Sequence, residues 1–169
     1  KVACAALLVG GAVRDALLDH PPHDFDFAVQ GDAVALGRAV ANAMDAAFYV
    51  MDAERGTARV IKQPEIIYDF ARCRGEDWRA DQLDRDFSLN AIGIDLIDLE
   101  LVDHTAGIAD LNAGVVRAVS PASLQNDPVR ALRAVRLAHQ FGMVIAPETL
   151  DLIRDAGEKT ILDFNTNLG

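Results

Sequence analysis

At 169 residues, 51% of them apolar and with no low-complexity tract, the chain can bury one good core, or one domain and part of a second. No apolar run approaches the roughly 18 residues of a membrane span, and the short run at 5–9 passes straight into Gly10, Gly11 and Arg14, which does not fit a signal peptide. A net charge of −10 weighs against a nucleic-acid partner. However, thirteen of the sixteen basic residues are arginine, the side chain suited to bidentate phosphate contacts. The distribution of charge, and not its sum, therefore decides that point. Cys4 and Cys73 have neither metal-ligand spacing nor partners for a disulfide framework, which fits a reducing cytoplasm. Lys1 opens the chain inside a predicted strand, as in a piece of something longer.

In chain order, residues 3–9 read as a buried strand ending at Gly10-Gly11, followed by a short helix from Val13 to Leu18. His20-Pro21-Pro22-His23 is a turn, and Asp24 to Val29 alternates polar and apolar residues as a strand does. Asp32 is placed to cap a helix carrying Val34, Gly37, Val40, Ala41 and Met44 on one face. Strands are predicted around Phe48–Met51, Thr57–Ile61 and Glu65–Ala71, and a polar, mobile loop over Glu76–Asp84. Ala91–Leu96 and Glu100–Val102 form a predicted hairpin, and Val115–Val119 a last extended segment. Helices then take over, one across Pro128–Phe141 and one opened by Pro147. The expected architecture is α/β (α+β), a mixed sheet flanked by helices, with a boundary near residue 121 before a helical segment.

The chemistry concentrates first in Asp24-Phe25-Asp26-Phe27. On a strand both carboxylates project to one face while both phenylalanines enter the core. Two such acids can hold Mg²⁺, which prefers hard oxygens and substrate phosphates. Taken alone, the pattern is more often a solvated strand face or a turn. Gly10-Gly11 before Val13-Arg14-Asp15 would let a triphosphate approach the backbone, with Arg14 as a clamp; a tight strand-to-helix turn is the plain alternative. Asp69 is a third acid if its strand is adjacent, and otherwise an ordinary edge charge. The four histidines are scattered, and His20 and His23 read as turn residues, not zinc ligands.

Together these pieces resemble the polymerase-beta-like nucleotidyltransferase superfamily, and within it the class II tRNA nucleotidyltransferase and bacterial poly(A) polymerase family. LVGGAVRDALL (8–18) with DFDF (24–27) is similar to the family's first motif. DRDFSLNAI (84–92) is similar to its RRDFTxNA motif, DHTAGIADL (103–111) to its DPxGGxxDL segment, and NDPVRALRAVRLA (126–138) to its EDPxRxLRAxRFA motif. The resemblance implies a nucleotidyltransferase head over residues 1–121 and part of a helical neck over 122–169. It also implies a Mg²⁺-dependent enzyme of the cytoplasm that adds CMP and/or AMP from CTP and ATP to tRNA 3′ ends. A poly(A) polymerase acting on other RNA, or a nucleotide-binding fragment without turnover, are the competing readings. CCA, CC and A addition, the acceptor RNA and the oligomeric state stay open.

Carried over residue by residue, the resemblance makes Asp24 and Asp26 the Mg²⁺ ligands that serve attack of a primer hydroxyl on the α-phosphorus. Asp69 aligns with the acid of the family's E-V-x-x-F-R strand, five residues before Arg74, as the third catalytic acid. Gly10, Gly11 and Arg14 match positions at the nucleotide phosphates and sugar. Arg85 and Asn90 match nucleotide contacts, with Asp86 supporting them. Asp127 and Arg130 match the side chains that select the base. Arg133 is expected to reach phosphate or to hold Arg130, and Arg136 matches a nucleotide position although helix geometry turns it away from Asp127. For this helix a solvated face of Asp–Arg pairs is the plain alternative. The sequence departs from the family pattern at Asp84 (for arginine), Asn126 (for glutamate) and Ala106 (for glycine), while Ser88 keeps the hydroxyl of threonine. LDFNTNLG at 162–169 matches no motif.

Overall fold

The computed structural model describes residues 4–64, 66–125, 127 and 129–166, with side chains through residue 157. Glu65, Pro128, Asn126 and the last residues of LDFNTNLG, to which the sequence reading assigned a strand start, a helix start, a departure and an unmatched tail, lie outside the described residues. The contacts divide the chain into two compact units: residues 1–82 with 92–104, and residues 83–91 with 105–169.

The first unit is built on a seven-stranded mixed sheet. Its strands are β1 (Ala5–Val9), β2 (Asp24–Gln30), β3 (Ala47–Asp52), β4 (Thr57–Lys62), β5 (Ile66–Arg72), β6 (Gly93–Asp95) and β7 (Leu101–Val102), in the order β3-β4-β5-β2-β1-β6-β7. Only β2 and β5 run parallel; the other pairings are antiparallel. Helix α1 (Gly11–Leu17) follows β1, and α2 (Ala33–Met44) follows β2. Asp32 caps α2 as its position predicts, its carboxylate accepting from the Ala35 amide at 2.9 Å.

Period-two alternation sorts the sheet's side chains into two faces. Ala6, Val29, Val60 and Phe70 are buried on the face that α2 covers, with Ala33 and Ala41 of the helix. The helix lies so close that a Cβ at Gly37 would stand 3.1 Å from Phe70. Leu7, Val9 and Ala28 form the core of the opposite face, with Trp78 and Val102 packed against them. Residues of α3 (Trp78–Leu83) replace the mobile loop expected over 76–84. Asp77 starts this helix by accepting from the Ala80 amide at 2.8 Å. Its polar residues read as solvated in the sequence, yet Asp81 and Gln82 are buried. Asp81 accepts from the Arg74 amide, and Gln82 donates to the Val102 carbonyl and accepts from the His104 amide. Those backbone partners offset the cost of burying them.

The second unit carries a 3₁₀ turn (Ser88–Asn90), α4 (Gly107–Ala113), α5 (Pro121–Gln125), α6 (Val129–Phe141), α7 (Pro147–Thr166) and the parallel pair β8 (Val115–Val116) and β9 (Val144–Ile145). Neither α4 nor α5 was expected. Both are short, and an apolar period needs more turns to declare itself. Residues 83–91 belong to the helical unit because Phe87 bridges Ala118 and is fully buried, and because the Ser88 hydroxyl donates to Asp110 at 2.6 Å. Among the described residues no helix is long and apolar enough to cross a membrane.

Ala106 caps α4 with φ of 58°, in the left-handed region that an L side chain disfavours. Ala106→Gly is expected to raise unfolding stability by about 1 kcal/mol, whereas Leu7→Ala, which empties a fully buried site, is expected to cost about 2–5 kcal/mol. Urea unfolding followed by circular dichroism measures both.

Candidate functional site

On β2, Asp24 and Asp26 are exposed while Phe25 and Phe27 are partly buried. The rings stack against β5, Phe25 on Tyr68 at 5.5 Å and Phe27 on Phe70 at 4.9 Å between centroids. Those stacks fix the pleat, so the two carboxylates share the opposite face. Asp69 of β5 is the direct partner of Asp26 in the parallel register, and register partners project to one side. The sheet therefore brings the three acids together. It also brings a residue that the sequence reading did not single out: Arg59 of β4, the register partner of Asp69. Its Nε and Nη2 donate to the two oxygens of Asp69 at 2.8 and 2.7 Å, a bidentate pair with side chains about one-third exposed. The bond to Asp69 and its charge hold the Arg59 guanidinium more basic than usual; burial opposes this, and Asp24 and Asp26 add to it. An arginine at an alternating strand position was the only signal available, and its partner lies ten residues away on another strand.

Gly10 closes the turn between β1 and α1 with φ of 80°. A Cβ there would stand 3.1 Å from Asp26 Oδ2, so glycine both permits the turn and leaves room above the carboxylate. Arg14 is 8% exposed; it lies along α1 beside Gly11 and donates from Nε to Asp15 at 2.8 Å. It is thus folded back onto its own helix.

Two exposed carboxylates on one strand face, with a glycine and so no Cβ beside one of them, fit a divalent cation such as Mg²⁺ that takes one or two carboxylates and completes its shell with phosphate and water. Among the described residues no three His, Cys, Asp or Glu side chains are arranged to hold a metal by themselves. The donor set suits a cation that arrives with a phosphate-bearing substrate.

The second unit holds the remaining predicted residues. Asp86 is buried, and its Oδ1 accepts from the Phe87 amide and from Asn90 Nδ2, at 2.8 and 3.1 Å. Its Oδ2 accepts from Arg133 at 2.8 Å. Arg133 is therefore turned to Asp86, not to Arg130 as one of the expectations had it. Asp127 precedes α6 and accepts from the Val129 amide at 3.1 Å, capping the helix whose surface it was expected to occupy. Arg130 Nε lies 3.6 Å from Asp127 Oδ2, and Arg130 Nη1 donates to the Ser123 carbonyl at 3.1 Å. Both side chains line a cavity of about 210 Å³ together with Leu83, Asp84, Ser120, Ala122 and Ser123. Arg85 is partly buried and Arg136 exposed. A partly buried support that motif reading did not anticipate joins Ser88, Asp110 and Arg117, whose Nε donates to Asp110 at 3.1 Å.

Residues 6–117 match the family of the poly A polymerase head domain. The chain is 37% identical over 174 residues to a CC-adding tRNA nucleotidyltransferase of Synechocystis sp., covering 97% of this chain and 42% of the relative. It is 33% identical to an A-adding tRNA nucleotidyltransferase of Aquifex aeolicus, covering 89% of this chain and 20% of that protein. Among solved structures, a CCA-adding enzyme with ATP superposes with a TM-score of 0.87 at 31% identity, over 96% of this chain and 40% of that one. A tRNA nucleotidyltransferase with a primer tRNA and an incoming ATP analog gives 0.84 at 32% identity, over 94% and 48%. The chain thus spans less than half the length of each.

Asp86→Ala removes the acceptor of three donors and is expected to cost about 1–3 kcal/mol of stability. Arg133→Gln, whose side chain is 46% exposed, should cost under about 1 kcal/mol. Denaturant titration of the two variants distinguishes a structural anchor from its partner.

Proposed function

We propose, from the premise that this chain belongs to the family of the poly A polymerase head domain, that it is the catalytic part of an RNA nucleotidyltransferase. It adds CMP and/or AMP from CTP and ATP to tRNA 3′ ends, uses Mg²⁺, and works in the cytoplasm. Residues 1–121 serve as the catalytic head and 122–169 as part of a neck. The observation that carries the reading is the exposed pair Asp24 and Asp26 on one face of β2, with Gly10 leaving space at Asp26. The tRNA acceptor is favoured over other RNA because CC-adding, A-adding and CCA proteins are among its relatives.

In this reading Asp24 and Asp26 hold the cation, which when bound supplies Lewis-acid neutralisation of phosphate charge. The Gly10-Gly11 turn receives the triphosphate, with no Cβ at either position to hold it off. Arg14 is a source of positive charge under that turn, oriented by Asp15. The second unit supplies choice of base. Asp127 offers an acceptor beside the donors of Arg130, the complement of the exocyclic amine and ring nitrogen that cytosine and adenine each present. Uracil and guanine present the reverse order and are disfavoured. Asp86 holds Asn90 and Arg133 in fixed orientations, and Arg85 and Arg136 supply further nucleotide contacts.

The test is incorporation of labelled CTP and ATP into tRNA transcripts ending at the discriminator base, at C or at CC. Growth that stops within CCA supports the proposal; long adenosine tails on any RNA turn it to a poly(A) polymerase; no incorporation by the intact protein refutes turnover. Asp24→Ala and Asp26→Ala should each lower incorporation by on the order of 10³-fold or more, and near-normal rates in either would remove the cation assignment. Arg130→Ala should reduce discrimination between CTP and UTP more than it weakens triphosphate binding. Unchanged CTP preference in that variant would refute the base-selection role.

A further inference from the structure

Four side chains stand in one row across the sheet: Val9 of β1, Asp26 of β2, Asp69 of β5 and Arg59 of β4, each the register partner of the next. Neighbouring strands lie about 4.8 Å apart, so three carboxylates, Asp24 included, crowd one small area of the face. Like charges at that spacing repel unless something compensates them. The compensating cation is built into the row. Arg59 engages both oxygens of Asp69 through Nε and Nη2, the fork geometry that fixes the plane of a carboxylate. Because β5 lies between β4 and β2, a fork from β4 turns those oxygens toward β4 and away from Asp26.

We infer that Arg59 is a positioning residue: it keeps Asp69 as its own counter-ion, so that the cation site consists of Asp24 and Asp26 without Asp69. This rests on the cation role proposed above for that pair. The charge arithmetic then makes a definite order of affinities. Neutralising Asp69 alone leaves the Arg59 charge facing the two acids and weakens the site. Neutralising Arg59 alone leaves an extra carboxylate beside them and strengthens it. Neutralising both restores the original balance. A third ligand behaves differently, since its loss is not repaired by removing an arginine.

The experiment is titration of the purified protein with Mn²⁺ alone, free ion being read from its electron paramagnetic resonance signal. Asp69→Asn is expected to bind about fivefold or more weaker than the natural protein and Arg59→Gln about fivefold tighter, as one unbalanced charge at this range implies. Asp69→Asn combined with Arg59→Gln should return to within about threefold of the natural protein. A double variant as weak as Asp69→Asn overturns the inference and makes Asp69 a ligand. If Asp69→Asn does not fold, comparison of Arg59→Gln, the double variant and the natural protein decides the matter in the same way. Asp26→Asn separates the two levels: undiminished Mn²⁺ binding there overturns the cation role itself, whereas loss there without rescue in the double variant overturns only the part given to Arg59.

Discussion

The parallel pairing of β2 with β5 is the constraint from which the acid face follows. It sets Asp26 beside Asp69 and stacks Phe25 and Phe27 on Tyr68 and Phe70. Because strand side chains alternate, a slip of one residue in this register would send the carboxylate of Asp69 into the apolar layer under α2. The aromatic stacks and the close seat of α2, through Gly37, over Phe70 make that slip costly. The chemistry on one face is therefore secured by packing on the other.

The two units use charge in different ways. On the sheet, Asp24 and Asp26 are exposed, and Arg59 brings positive charge beside them while paired with Asp69. In the helical unit Asp86 is buried and has three donors around it, so it acts as an anchor that orients its neighbours. A buried carboxylate with its donors satisfied is stable in place, and removing the carboxylate itself leaves those donors unmatched. The Ser88–Asp110–Arg117 chain does the same for the turn that carries Asn90. Orientation, more than exposure, is what these groups contribute.

Much of this was legible in the residues. The alternation in DFDF announced a strand with both acids on one side, and Asp32 announced the start of α2. What escaped was whatever depends on partners distant in the chain. Arg59 looks like any polar strand residue until the register between β4 and β5 is known. The segment around α3 looks like a solvated loop because its burial comes from backbone groups at Arg74, Val102 and His104, which local composition does not record. The family resemblance named Asp127 and Arg130, but only the fold shows Asp127 capping a helix and Arg133 engaged elsewhere.

The interleaving of the two units along the chain bears on how the protein is made. Residues 83–91 pack with a unit whose other parts begin at residue 105, while the sheet waits for β6 and β7 before its last edge is laid down. On a ribosome, where residues emerge one after another, neither unit is finished when the other begins. The buried Phe87 lacks its bridge partner until the segment containing Ala118 has been synthesised. All residues of the sheet unit have emerged by residue 104, and a nascent chain halted between there and Ala118 carries an apolar segment that chaperones would have reason to hold.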